Sequence, residues 1–193
     1  MPTHQAIPFD RGVFSITFTC IEWRPLIAQL QGYLLVYQWF DVLRQQGHAV
    51  VGYVIMPNHL HVMIAFKKTA TSINSIIGNG KRFMAYGLVK SMQQMNAEKL
   101  MSELAAQVSV AGQLSKHKHA IWVPSFDWKH CSTPALIKQK LDYYHLNPCR
   151  GKWMLANAPV EYRHSSALYY ATGQQGEYPV VNYLSLSDME FGQ

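Results

Sequence analysis

The stretch Tyr53-Val54-Ile55-Met56-Pro57-Asn58-His59-Leu60-His61-Val62-Met63-Ile64 decides the fold. Apolar, largely β-branched residues run up to a Pro-Asn dipeptide and resume beyond it, the pattern of two strands joined by a tight turn. Proline presets φ for such a turn, and asparagine tolerates left-handed geometry. On the second strand, alternation sends His59 and His61 to one face and Leu60, Val62 and Ile64 to the other, into a core. Cα atoms two apart on a strand are separated by about 6–7 Å, close enough for two imidazoles to converge on one cation.

Around this stretch, 193 residues with 49% hydrophobic and 12% aromatic content suffice for one domain with a substantial core and exclude a disordered chain. We expect a single domain over 1–193, with a core from about 13 to 150 and a loop-rich extension after it. The net charge of +6 and the pI near 9.2 favour a polyanionic partner, nucleic acid before a membrane surface. The three scattered cysteines, Cys20, Cys131 and Cys149, form neither a disulfide framework nor a zinc motif. Met1-Pro2-Thr3-His4-Gln5 lacks a basic region followed by an apolar run, so no signal peptide is expected, and no apolar run reaches membrane-spanning length. A cytoplasmic protein with no membrane partner is the expectation.

Before the His pair, Val13 to Cys20 alternates as a first strand, and Arg24-Pro25 opens a helix to about Leu43, with Leu26, Leu30, Leu34, Tyr37 and Val42 at roughly helical spacing. Gly47 closes that helix, and Ala49 to Met56 leads into the turn. After the pair, Thr71-Ser72 caps a helix whose apolar side carries Ile73, Ile76, Ile77, Phe83, Met84 and Leu88, weakened by Gly78 and Gly80 and extendable to Ala106. A loop is expected from Val108 to Lys118, and a fourth strand at Ala120-Ile121-Trp122-Val123 before Pro124. Ser132-Thr133-Pro134 then starts a helix that runs to about Asn147, ahead of Pro148 and Gly151. The order β-α-β-β-α-β-α predicts an α+β, ferredoxin-like split βαβ fold: an antiparallel sheet with helices on one face.

On the last helix Ile137, Leu141 and Tyr144 form the core-facing stripe. Tyr143 lies off it, on a row with Leu136, Lys140 and Asn147. A phenol and an amide four apart thus project together from the flank of a helix that can pack on the sheet. Asn147 could bring an oxygen to an ion held by His59 and His61 while Tyr143 meets a phosphate. A phenol has an ordinary pKa of about 10 and attacks well only when its proton is removed or cationic charge lowers that value. A second His pair, His117 and His119, lies between Lys116 and Lys118 in the expected loop and suits solvent or phosphate contact better than a metal. His145 points elsewhere on the helix, toward packing or DNA contact.

Met56-Pro57-Asn58-His59-Leu60-His61 resembles the His-hydrophobe-His motif of HUH-superfamily single-tyrosine transposases. Lys140-Leu141-Asp142-Tyr143-Tyr144-His145-Leu146-Asn147-Pro148 resembles the Tyr-Ile-His-x-Asn-Pro signature of the REP-associated tyrosine transposases. Phe14 to Phe18 with Arg24-Pro25, Ile76-Ile77 with Lys81, Trp122 to Asp127, and Tyr162-Arg163-His164-Ser165-Ser166 extend the likeness from about Phe14 to Tyr170. Tyr144 stands where the family usually has an aliphatic residue, Cys149 where valine is commoner, Val123 where glutamine is usual, and Gly151-Lys152-Trp153 interrupts the usual continuation.

The resemblance implies that Tyr143 is the nucleophile toward single-stranded DNA, forming a 5′-phosphotyrosine link and a free 3′-hydroxyl. It implies that His59, His61 and Asn147 are ligands of Mg²⁺ or Mn²⁺, the imidazoles suiting Mn²⁺ better. Lys81 and Arg82 are the first expected phosphate contacts. Lys140, Arg150 and Lys152 join them in a basic face with Phe83, Tyr86 and Trp122 as stacking groups. The implied partner is single-stranded or hairpin DNA, and both a monomer and a homodimer fit. The competing readings are a replication or conjugation nicking enzyme and a non-catalytic nucleic-acid-binding module of the same fold.

Overall fold

The computed structural model describes residues 6–108 and 118–188. Most of the loop expected over 108–118, with His117 of the second His pair, lies outside them. Four strands, β1 (Gly12–Thr19), β2 (Ala49–Ile55), β3 (His59–Phe66) and β4 (Asp127–His130), form one sheet in the order β2-β3-β1-β4, with every neighbour antiparallel. Placing β1 and β3 side by side in the centre, with β2 and β4 at the edges, is the split βαβ arrangement. The register sets Thr17 opposite His61 and Thr19 opposite His59.

One face carries Phe14, Ile16 and Phe18 of β1 and Leu60, Val62 and Ile64 of β3, all fully buried. Helices α2 (Tyr33–Gln45) and α3 (Ile73–Gln94) cover it with Val36, Trp39, Phe40 and Leu43 from the first and Ile76, Ile77, Met84 and Leu88 from the second. Each such side chain contributes about 1.5–3 kcal/mol of apolar transfer on burial. The opposite face presents His59, His61, Met63 and Ala65 of β3. There α5 (Pro134–Leu146) packs Ile137, Leu141 and Tyr144. The helical layer expected on one face is thus α2 and α3, and the tyrosine helix takes the other, where the histidines are. Gly52 permits this approach, because a Cβ there would collide with the Leu141 side chain.

The first helix differs from its expected form. The chain makes a 3₁₀ turn (Ile21–Trp23), a single turn α1 (Leu26–Gln29), and a break at Leu30–Gly32, where Gln31 takes φ 53°. That break resets the helical phase, so the buried stripe is Val36, Trp39, Phe40 and Leu43, while Leu34 is 69% exposed. The second helix stops at Gln94, and α4 (Glu98–Ala106) follows a turn through Asn96 at φ 51°. Ser72 caps α3 by accepting from the Ser75 N–H, and Thr133 caps α5 by accepting from the Leu136 N–H, each cap contributing about 1 kcal/mol.

The fourth strand is not Ala120–Val123. That segment forms only an isolated bridge between Trp122 and Cys20, with Ile21 N–H donating to Ile121 O and Val123 N–H to Thr19 O, both at 2.9 Å. Pro124 ends it, and the edge strand forms at Asp127–His130, where Trp128 and His130 turn inward against Phe14.

Candidate active site

The site lies where β3 meets the flank of α5. Strand alternation brings the rings of His59 and His61 to 4.8 Å between centroids, and both residues are buried. The helix places Tyr144 flat against His61, with centroids 5.2 Å apart and planes 10° apart. One residue earlier, Tyr143 meets His61 edge-on at 5.3 Å while remaining 54% exposed. Asn147 keeps helical dihedrals (φ −56°, ψ −45°) as the residue that ends α5, so it continues the row of Tyr143 one turn on. Strand β3, through His61, and the flank of α5, through Tyr143 and Tyr144, therefore meet within one chain.

The two adjacent tyrosines have opposite environments. Tyr144 is 1% exposed and donates its hydroxyl to Ser15 Oγ at 2.6 Å. Burial pushes its phenol far above the usual tyrosine range, which keeps it protonated and poorly nucleophilic. The Tyr143 phenol stands at the surface beside His61.

The imidazoles are held neutral. Burial lowers the pKa of His59 to about 4. Burial first, then the neighbouring His59 and Lys140, takes His61 down to about 3. His59 Nδ1 lies 2.7 Å from Asn58 Oδ1, and Asn58 Nδ2 donates to Trp23 O at 3.1 Å. The amide is thereby oriented with its oxygen toward the ring, so His59 Nδ1 carries the proton and Nε2 keeps its lone pair. His61 Nδ1 lies 2.8 Å from Thr17 Oγ1, its direct cross-strand partner, which can accept from an Nδ1–H in the same way. Two neutral rings with outward Nε2 lone pairs are the donor set a divalent ion needs, each backed by a hydrogen-bonded second residue. Among the described residues no group of three or more His, Cys, Asp or Glu could hold an ion. An ion on this pair would therefore draw its remaining ligands from amide, solvent or phosphate oxygens. The residues present fit a divalent ion held by two imidazoles and completed by oxygen donors.

The expected DNA contacts separate. Arg150 and Lys152 are exposed beyond α5, with Lys152 Nζ 5.2 Å from the Trp153 ring, and Lys140 is partly exposed on the tyrosine row. Arg82 is exposed on α3, beyond the opposite sheet face, and bonds Asn79 Oδ1. Lys81 is a correction to the expected surface cation. Its ammonium donates to the carbonyls of Val123, Pro124 and Ser125 at 2.8, 3.2 and 2.9 Å, and burial lowers its pKa to about 8. It pins a loop instead of standing in solvent. His145 is buried, with Nε2 2.9 Å from Ser166 Oγ, in a packing position.

Asn58, Thr17 and Ser15 support the site without having been singled out for it in the sequence. Thr17 and Ser15 could have been found from β1 alternation, which turns both toward the histidine face. Asn58 read only as a turn residue.

The class is thus a ferredoxin-like sheet with a His-His-Tyr centre on the face turned away from α2 and α3. The fold is that of a REP-associated tyrosine transposase solved bound to a REP hairpin, matched with a TM-score of 0.59 over 94% of this chain and 100% of that one. Sequence identity there is 14%, so the likeness is one of fold. A candidate transposase from Deinococcus radiodurans R1 matches with a TM-score of 0.40, 14% identity, and coverage of 75% of this chain and 98% of that one. No protein-family profile and no curated protein matches the sequence. No helix among the described residues is long and apolar enough to cross a membrane.

Proposed function

We propose that this chain is a single-tyrosine DNA transesterase of the REP-associated transposase type, cleaving and rejoining single-stranded DNA beside hairpins. The observation that carries the reading is the meeting of an exposed Tyr143 with the neutral His59–His61 pair within one chain, 5.3 Å from the nearer ring. The fold shared with a transposase solved on a REP hairpin supports the same reading.

In the proposed reaction the Tyr143 oxygen attacks the scissile phosphorus. A bond forms from phosphorus to the phenolic oxygen, and the bond from phosphorus to O3′ breaks. The phenolic proton leaves to solvent, and O3′ takes a proton from solvent to become a free hydroxyl. One phosphodiester replaces another, so no nucleotide hydrolysis is required and the 3′-hydroxyl of another end can reverse the step. His59 and His61, with Asn147, would hold a divalent ion that, when bound, supplies charge stabilisation at the phosphate oxygens. The chain's own residues fix the geometry. Asn58 and Thr17 orient the two rings, Tyr144 holds His61 by stacking, and α5 presents Tyr143 at their edge. Lys140, Arg150 and Lys152 would receive the strand on this side, and Arg82 a more distant part of it. Each protomer carries a candidate centre of its own, so a monomer can act under this proposal.

The test is incubation with hairpin-flanked single-stranded DNA and Mn²⁺, followed by denaturing electrophoresis. A strand labelled on the 3′ side of the break should yield a labelled covalent adduct, and one labelled on the 5′ side a shorter free strand. Chelation should abolish both. Tyr143→Phe should lose the adduct and retain binding. An adduct surviving Tyr143→Phe would overturn the assignment, and binding without any adduct would leave only a nucleic-acid-binding module.

A further inference from the structure

Beside the His pair, the chain holds an aromatic side chain in solvent on an unfavourable backbone. Glu22 and Trp23 are consecutive non-glycine residues with φ 51° and 55°. Such conformations are strained for residues other than glycine and persist where surrounding structure enforces them. Here the enforcement is visible. Trp23 N–H donates to Cys20 O at 3.1 Å, and the buried Asn58 donates its amide to Trp23 O at 3.1 Å. The outcome is an indole 61% exposed, lying edge-on to His59 with centroids 5.8 Å apart. Asn58 thus orients the His59 ring with one end of its amide and the Trp23 backbone with the other.

Trp23 borders a half-open groove of about 220 Å³, whose floor is Thr17 and Thr19 and whose far wall is the Ser125–Asp127 segment. That wall is built firmly. Lys81 clamps it from beneath through the three carbonyls of Val123, Pro124 and Ser125, Trp122 Nε1 donates to Lys81 O at 3.0 Å, and Val123 pairs with Thr19. The groove therefore joins the His pair through Thr17 on its floor and Trp23 on its rim. Its size suits one nucleobase. An exposed indole offers a stacking face for any base, while the Asp127 carboxylate offers only acceptor oxygens.

We propose that this groove is a base-reading subsite for the nucleotide beside the scissile phosphate, in which the base stacks on Trp23 and presents N–H donors to Asp127. The base that best fits two carboxylate oxygens is guanine, whose N1–H and N2–H lie parallel on one edge, as a guanidinium meets a carboxylate. Thymine lacks the second donor, and hypoxanthine is guanine without it. The inference rests on the single-stranded DNA reading of the adjacent centre and adds the base and the residues that choose it.

The probes are dT₁₂ strands with one central dG, one central deoxyinosine, or none, bound to the Tyr143→Phe protein and read by fluorescence anisotropy. The dG strand should bind about tenfold or more tightly than the other two, the scale of one bidentate base contact. Asp127→Ala should bring the three strands to equal affinity. Trp23→Ala should weaken all three by about tenfold, with Trp23→Phe recovering most of the loss. Circular dichroism of each variant controls for folding. Equal binding of the three strands by the Tyr143→Phe protein, or discrimination that persists in Asp127→Ala, overturns the inference. So does Trp23→Ala binding as tightly as its parent. If Tyr143 forms its adduct in the otherwise unaltered protein while the strands bind alike, the base-reading inference alone fails. If no single strand binds and no adduct forms, the reading of the centre fails with it.

Discussion

Replacing Tyr144 by phenylalanine isolates one hydroxyl in a site where two tyrosines are adjacent. The ring stays, so its stacking on His61 at 5.2 Å should persist, and the lost group is the hydroxyl donating to Ser15 Oγ at 2.6 Å. Both partners are buried, so Tyr144→Phe leaves the serine oxygen short of a donor, at a cost of about 1–2 kcal/mol. For a chain of this length that corresponds to a fall in Tm of about 2–8 °C. Ser15→Ala should lose a similar amount, and the double variant should lose clearly less than the two combined, since each single change already breaks the same bond. Thermal denaturation of the four proteins gives the cycle. Adduct formation on hairpin-flanked DNA should survive in Tyr144→Phe at native extent once assayed below its lowered Tm. An unchanged Tm together with a lost adduct would refute the assignment of Tyr144 to packing and of Tyr143 to chemistry.

Acid should destabilise the protein through its buried histidines. His59 and His145 have pKa values lowered to about 4 and His61 to about 3, from 6.5. Because the folded state resists protonation that the unfolded chain accepts, stability is full above about pH 6.5 and falls as pH drops toward those folded values. Between pH 7 and 5.5 the three together should remove about 3–4 kcal/mol, and the His59→Gln, His61→Gln double variant should lose less than its parent by about two thirds of that amount. Parallel denaturation curves for the two proteins would contradict it. Two helical glycines should respond oppositely to alanine. At Gly78 an added Cβ meets nothing within 4 Å, so Gly78→Ala should stabilise α3 by about 0.5–1 kcal/mol, whereas at Gly80 it meets the Trp39 indole and should destabilise by about 1–3 kcal/mol. Urea denaturation distinguishes them, and a stabilising Gly80→Ala would contradict the close approach of α2 and α3.

Those glycines also show what the sequence could and could not disclose. Propensity marks both only as weaknesses in a helix, yet one is a point of contact between helices and the other is dispensable, a difference that exists only once α2 is packed. The strand pair around Pro57-Asn58 and the capped tyrosine helix were legible because period-two and period-3.6 patterns, a turn dipeptide and a Thr-Pro cap are local signals. The position of Tyr144 on the stripe of Ile137 and Leu141 correctly separated it from Tyr143. The helix after Pro25 was misphased because the break at Gln31 depends on Gly32 fitting close against Leu88, a contact distant in sequence. The edge strand was missed because Asp127-Trp128-Lys129-His130 is short and mostly polar, while Ala120–Val123 has the apolar composition of a strand but only one bridge. Lys81 looked like a surface cation because nothing nearby in sequence reveals the three carbonyls that surround its ammonium. The orienting roles of Asn58 and Thr17 needed the register that sets Thr17 opposite His61.

The central claim is that Tyr143, and not its buried neighbour, becomes bonded to DNA. Trypsin should release the adduct on the peptide from Leu141 to Arg150, which contains both tyrosines, and fragmentation by mass spectrometry can place the nucleotide remnant on one of them. The account predicts a phosphodiester on Tyr143 with Tyr144 unmodified. A remnant on Tyr144, or on a peptide elsewhere in the chain, would contradict it.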